Sequence, residues 1–125
     1  MNGDVSRLNM RGACPMSLPN ADRAIVDPAK VRDYLLSSVH PVGRFKATFF
    51  VSLGYTQDRW ETLRDDLLVL ARSGDAVPGR LSVFGRMFEV GGMLTGPSGR
   101  SAEIRTVWIV ASDEASPRFV TAYPR

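Results

Sequence analysis

The spacing of apolar residues changes near the middle of this chain, at Pro78-Gly79. Between residues 58 and 74, apolar residues recur every three or four positions, which is the period of an amphipathic helix. Residues 80–95 and 100–112 are instead rich in β-branched and aromatic residues, and they flank the turn sequence GPSG. Helices followed by hairpin-linked strands predict an α+β domain, with N-terminal helices packed on an antiparallel sheet of three to five strands.

Local signals set the ends of the other predicted elements. Asp27-Pro28 predicts a helix start, because aspartate caps the first N–H groups and proline fits the first helical position. This helix must end before the pair His40-Pro41, since a residue that precedes proline avoids the α region. Residues 45–53 alternate as a strand would, but their helical stripe and the following glycine favour a second helix. Two short strands complete the prediction, at residues 24–26 and 118–124.

The 125 residues suit one domain that buries its own core. Residues 1–18 have no periodicity, so we predict a flexible leader there and one compact domain over residues 19–125. No apolar run reaches the roughly 18 residues of a membrane helix, and the chain does not begin like a secretion signal. We therefore expect a cytoplasmic protein without membrane contact. Cys14 is the single cysteine, so we expect no metal site and no cofactor.

Positive charge is distributed unevenly along a chain whose net charge is only +3. Fourteen of the sixteen cations are arginine, which suits bidentate phosphate recognition, although a GC-rich genome would produce the same bias. No carboxylate occurs between Asp33 and Asp58, and this window contains His40, Arg44 and Lys46. The pattern indicates a local basic patch that contacts a polyanion at one place.

Several phrases resemble a known bacterial family. HPVGRFKA, RTVWIV and PRFVTAYP, in this order within residues 18–124, look like domain of unknown function 6883. Members of that family occur beside small antitoxin genes or as terminal domains of larger toxins, and the family is similar to the barnase–EndoU–colicin–RelE group of toxin ribonucleases. The resemblance implies a barnase/RelE-like architecture, RNA as the substrate, and a small cognate antitoxin or immunity protein as a partner.

Metal-independent RNA cleavage needs a base for the attacking 2′-hydroxyl, an acid for the leaving oxygen, and cations for the phosphorane. Histidine ordinarily changes charge near neutral pH, and arginine and lysine bind phosphate. Residues two apart on the last strand share one face, which we expect to meet the histidine corner. The predicted catalytic residues are His40, Arg44, Lys46, Thr121 and Tyr123. The predicted substrate-binding residues are Arg105, Thr106 and Trp108.

Each of these residues also has a purely structural explanation. A histidine before proline is common turn chemistry, and Arg44 and Lys46 are of types that often stand in solvent. Thr121 fits a strand by propensity, and Trp108 suits a core position. Glu89 is either a second acid–base group or a solvent-facing strand residue.

The leading hypothesis is therefore a toxin ribonuclease. Two alternatives remain open: a non-catalytic nucleic-acid-binding or immunity/antitoxin-like module, and a regulatory domain that binds an anionic ligand. Phe49, Phe50 and Val51 would also permit a homodimer if their side chains were exposed.

Overall fold

The computed structural model of the protein describes residues 17–41 and 43–125. Within these residues, three main helical segments and two short 3-10 turns, Ala21–Arg23 and Gln57–Arg59, come before four strands. The helices are α1 (Pro28–Lys30), continued by a π-helical turn (Val31–Leu35), α2 (Arg44–Ser52) and α3 (Trp60–Ser73). The strands are β1 (Asp75–Ser82), β2 (Gly85–Thr95), β3 (Ser101–Ala111) and β4 (Arg118–Pro124). The α+β class with an antiparallel sheet is confirmed.

The four strands form one sheet in the order β1-β2-β3-β4, so every strand pairs with its neighbour in the chain. All three pairings are antiparallel. The longest runs without interruption from Gly85 opposite Ala111 to Thr95 opposite Ser101. The predicted GPSG turn joins β2 to β3, and Gly99 adopts the positive φ of 85° that this turn requires.

The core lies between the helices and one face of the sheet. Each helical segment contributes fully buried side chains, and the central strands contribute alternate residues, as the two-residue period of a strand requires. On this face the Trp108 and Phe119 rings meet edge to face, with centroids 5.3 Å apart. The fully buried residues include Val31, Leu35, Phe50, Leu63, Leu67, Val90, Ile104 and Trp108.

The start of the first helix is as predicted, and the helical segment ends at Leu35, before the pair His40-Pro41 as the sequence requires. The Asp27 carboxylate accepts the N–H of Ala29 at 2.9 Å and caps the helix. The helix widens into a π-helical turn that ends at Leu35. The chain then folds into a corner over residues 37–43. The second and third predicted helices are both present.

The first strand begins earlier than the sequence predicts. Pro78-Gly79, interpreted as the boundary between helical and β segments, lies inside β1. β1 is an edge strand, where a proline that cannot donate an N–H is tolerated, and its pairing with β2 shifts register after Pro78. Residues 80–95, taken as one strand segment, are two strands joined at Val83-Phe84.

Three other predictions need correction or a limit. The strand at residues 24–26 is a single parallel bridge between Ile25 and Arg118. The leader lies outside the described residues except for its last two positions, and Leu18 is buried in the core. Phe50 is also buried and only Val51 of the three proposed dimer residues is exposed, because α2 turns Phe50 toward the sheet.

None of the helices in residues 17–41 and 43–125 is long and apolar enough to cross a membrane.

Candidate functional site

The corner that carries His40 is built from short-range hydrogen bonds. The buried hydroxyl of Ser37 accepts the N–H of Val39 at 3.3 Å and that of His40 at 3.2 Å. The N–H of Gly43 then donates to Nδ1 of His40 at 2.9 Å, and the N–H of Arg44 donates to the His40 carbonyl at 3.1 Å. These bonds close the corner directly before α2 and hold the imidazole ring in place.

Gly43 allows this corner to lie against the preceding helical segment. A Cβ atom at Gly43 would be 1.9 Å from the carbonyl oxygen of Tyr34, so no larger residue fits without movement. The close approach places the His40 ring edge to face with the Tyr34 ring, with centroids 5.1 Å apart. Tyr34 therefore belongs to the histidine corner, which its position within a predicted helix does not reveal.

Lys46 joins this corner to the sheet. Its Nζ donates to the Tyr34 hydroxyl at 2.9 Å and to Thr121 Oγ1 at 2.7 Å. The two hydroxyl oxygens are themselves 3.3 Å apart. We call His40, Lys46, Thr121 and Tyr34 the tyrosine–lysine cluster; all four side chains are partly exposed.

An irregularity in the last strand accompanies Thr121. Val107 pairs with Thr121 and Trp108 pairs with Phe119, which leaves Val120 as an extra residue. Such a bulge changes the direction of nearby side chains. β4 is also an edge strand, so Thr121 can contact Lys46 and Tyr34, which come from the helical side.

The neighbours of Tyr34 stabilise its phenolate relative to that of an isolated tyrosine. Burial acts to raise the pKa of Tyr34, but the hydrogen bonds from Lys46 and Thr121 and the Lys46 charge outweigh burial. The net result is a pKa of Tyr34 below its usual value. A nearby cation and hydrogen-bond donors stabilise a phenolate in this way.

The hydrogen bond from Gly43 also sets the tautomer of His40. Since Nδ1 accepts that N–H, the neutral imidazole carries its proton on Nε2. In this tautomer Nε2 is a hydrogen-bond donor and not an acceptor.

Arg44 lies on another side of α2 from Lys46. Residues two positions apart in an α-helix, such as Arg44 and Lys46, are separated by about 200° around the helix axis. Arg44 lines a groove of about 530 Å³ whose apolar residues include Leu36, Ala47 and Val51. Of the predicted catalytic residues, the structure joins His40, Lys46 and Thr121 through contacts. It places Arg44 at the adjacent groove.

Arg105 and Tyr123 are cross-strand partners outside the cluster. Arg105 alternates with buried Ile104 and Thr106, so it extends to the face opposite the helices, where its guanidinium donates to Glu89 at 3.3 Å. Neither residue takes part in the hydrogen bonds that join Lys46, Thr121 and Tyr34. The ion pair also gives Glu89 a structural contact.

Thr106 and Trp108 belong to the core and not to a substrate surface. Both side chains are fully buried, with 0% exposure. Trp108 Nε1 donates to Thr106 Oγ1 at 2.8 Å, and that hydroxyl donates to the Val90 carbonyl at 2.8 Å. Because these polar atoms bind one another inside the protein, the predicted role of the two residues in substrate binding is corrected.

In the part of the chain that the structure describes, no group of three or more His, Cys, Asp or Glu residues could hold a metal ion. Cys14 lies outside the described residues.

Comparisons with known proteins give one family and a related fold. The model of the family Domain of unknown function (DUF6883) matches residues 17–125. A chain in a contact-dependent growth inhibition toxin–immunity protein complex from Klebsiella pneumoniae 342 has a similar structure, with a TM-score of 0.66 and 20% sequence identity. The match covers 82% of this chain and 100% of that chain. A search of curated proteins gives no significant match.

Proposed function

This chain belongs to the DUF6883 family, and on that premise we propose that it is a toxin ribonuclease that cleaves RNA without a metal ion. The 2′-hydroxyl attacks the adjacent phosphate, a 2′-O–P bond forms, and the P–O5′ bond breaks. The products are a 2′,3′-cyclic phosphate and a 5′-hydroxyl. DNA lacks the 2′-hydroxyl and is not a substrate for this reaction.

One observation carries the proposal: Lys46 donates to two hydroxyl groups beside the His40 ring, at a corner without a carboxylate in its stretch of sequence. An ammonium has three N–H groups, and the third can donate to a phosphate oxygen. The Nε2–H of His40 is a second donor for the same group. Donors fixed before the substrate arrives stabilise the charge of the phosphorane without reorganisation.

Arg44 and the groove that it lines extend the site away from the reacting phosphate. A guanidinium binds a phosphate through two parallel N–H donors, and the apolar groove residues suit a nucleobase face. We therefore assign Arg44 to the binding of a neighbouring nucleotide.

The proposed ribonuclease has a protein partner. The similar chain comes from a toxin–immunity protein complex, and this likeness supports a protein partner of that kind, a small inhibitory protein that covers the basic corner. An acidic partner surface is the chemistry that complements Arg44 and Lys46.

RNA cleavage in EDTA tests the function. We expect the purified protein to cut a fluorescently labelled RNA and to leave 2′,3′-cyclic phosphate ends. Lys46→Met should reduce the rate by about 100-fold or more, because it removes a donor to the transition state. Arg72→Met, at an exposed position of α3, is the matched control and should retain the rate.

Intact RNA after incubation with the folded wild-type protein would refute the ribonuclease proposal. Equal cleavage rates for Lys46→Met and Arg72→Met would show that Lys46 does not contribute to catalysis.

A second candidate is an immunity-like protein without catalysis. It is favoured by the same structural likeness, since that complex contains an immunity protein as well as a toxin. Expression in bacteria separates the two: a toxin should arrest growth, and Lys46→Met should relieve the arrest. Harmless expression together with protection from a co-expressed toxin would favour the immunity function.

A further inference from the structure

Tyr34 and Lys46 have the geometry of a proton-exchanging pair. We infer that the Tyr34 oxygen accepts the proton of the attacking 2′-hydroxyl and that the Lys46 ammonium donates a proton to the leaving 5′-oxygen. This inference rests on the proposed ribonuclease function and assigns the base and the acid that the function requires.

The contacts place both groups where they can act together. Lys46 Nζ donates to the Tyr34 oxygen at 2.9 Å, and Nζ also lies 5.2 Å from the centroid of the Tyr34 ring. Thr121 Oγ1 is within 3.3 Å of the Tyr34 oxygen and 2.7 Å of Nζ, so it orients both. Since Tyr34 and Lys46 are partly exposed, a substrate in the corner can reach them.

The charges around Tyr34 support its role as the base. Lys46 on α2 and Lys30 on α1 contribute positive charge, His40 lies against the ring from the corner, and Thr121 approaches from β4. The pKa of Tyr34 is lowered in spite of burial, with Lys46 as the main charged cause. A phenol whose pKa is closer to the working pH is a better general base.

Protons balance over the reaction. The active form pairs the Tyr34 phenolate with the Lys46 ammonium. As the 2′-O–P bond forms and the P–O5′ bond breaks, the 2′-hydroxyl proton goes to the phenolate, and an ammonium proton goes to the 5′-oxygen. The pair is then a neutral phenol and a neutral amine. One proton transfer across the 2.9 Å hydrogen bond restores the phenolate and the ammonium, so no outside acid or base is consumed.

His40 is the obvious competitor for the role of base. Its Nδ1 already accepts the N–H of Gly43, and Nε2 of the neutral ring is protonated as a result. His40 therefore donates to the phosphate, and Tyr34 is the group in the cluster that can accept a proton.

Titration of the phenol absorbance tests the ion pair without any RNA. The chain has three tyrosines, and burial together with Asp66 raises the pKa of Tyr55, so Tyr55 ionises late. We expect wild-type protein to show one component below the ordinary tyrosine range. Tyr34→Phe should remove that component, Lys46→Met should move it to higher pH, and the matched variant Tyr123→Phe should leave it in place. The inference is wrong if wild-type protein shows no such component, or if the component persists in Tyr34→Phe.

Cleavage kinetics test the use of the pair. Tyr34→Phe should reduce kcat by about 100-fold or more with little change in KM, since a general base contributes on this scale. The rate of the wild-type protein should rise with pH through the ionisation of Tyr34. Lys46→Arg, which keeps the cation, should retain the early tyrosine ionisation in the titration but lose activity, because guanidinium is a poor proton donor.

The two proposals fail in different ways. An early tyrosine ionisation with normal cleavage by Tyr34→Phe would overturn the proton-exchange inference and leave the ribonuclease standing. An early ionisation with no cleavage by wild-type protein would refute the ribonuclease and establish the ion pair alone. Circular dichroism of each variant confirms that it is folded.

Discussion

Replacing Thr106 by valine removes one hydroxyl from the centre of the core and changes the side-chain volume little. Thr106 Oγ1 donates to the Val90 carbonyl and accepts from Trp108 Nε1, each at 2.8 Å. All three residues have 0% exposure, so water cannot replace either bond. Two hydrogen bonds are lost, and the indole N–H is left buried without an acceptor.

The expected cost follows from these losses. A hydrogen bond contributes about 1 kcal/mol net, and an unsatisfied buried donor costs about 1–3 kcal/mol. The added methyl group of valine offsets part of this, so we expect Thr106→Val to lower the free energy of unfolding by about 2–3 kcal/mol. For a domain of this size the corresponding decrease in Tm is roughly 10 °C.

Urea unfolding, followed by circular dichroism and tryptophan fluorescence, measures this change as a lower midpoint at unchanged slope. Thr62→Val on the exposed surface of α3 is the matched control and should stay within about 0.5 kcal/mol of wild type. In a Trp108→Phe background, where the indole donor is already absent, Thr106→Val should cost about 2 kcal/mol less, because neither the indole hydrogen bond nor an unsatisfied donor is involved. Equal costs for the variants at Thr106 and Thr62 would refute the argument that the buried hydroxyl stabilises the core.

Three further substitutions test other contacts. Gly43→Ala should destabilise the protein by about 1–3 kcal/mol in thermal unfolding, because its Cβ would collide with the Tyr34 carbonyl; an unchanged Tm would contradict this close contact. Burial raises the pKa of Tyr55, so the stability that its neutral phenol provides should be present below about pH 10 and lost as pH rises further. Tyr55→Phe should weaken that alkaline loss in urea titrations at several pH values, and an identical pH dependence would exclude Tyr55 as its source. Gly85 has φ 142° and a neighbouring carbonyl 2.2 Å from an added Cβ, so Gly85→Ala should lower the urea midpoint, and an unchanged midpoint would show that the β1-β2 turn tolerates a side chain.

Much of the fold is encoded in local patterns. The apolar period of residues 58–74 predicts α3, Asp27-Pro28 predicts the start of α1, and GPSG predicts the central hairpin, because each signal depends on residues close together in sequence. β1 is less predictable. Only its position at the sheet edge permits Pro78 inside a strand, and edge position is a property of the whole sheet.

The site is harder to predict because its contacts are distant in sequence and its faces depend on packing. The acid-free window contains His40 and Lys46, and both of these side chains contact Tyr34. The window does not identify Tyr34, because a tyrosine in a predicted helix is equally consistent with a position in the core. The polarity of Thr106 suggests a surface, but the helices cover that face of the sheet and bury it.

The consecutive strand order has a consequence for how the protein folds. Each strand pairs with the next one in the chain, so the sheet can grow by closing short hairpin loops, which cost little entropy. The hydrogen bonds that link Thr121 with Lys46 and with Tyr34 instead close loops of 75 and 87 residues. A chain that has completed its hairpins but not docked its helices therefore has a sheet and no tyrosine–lysine cluster. Formation of the cluster coincides with completion of the tertiary structure, and a partly folded chain lacks it.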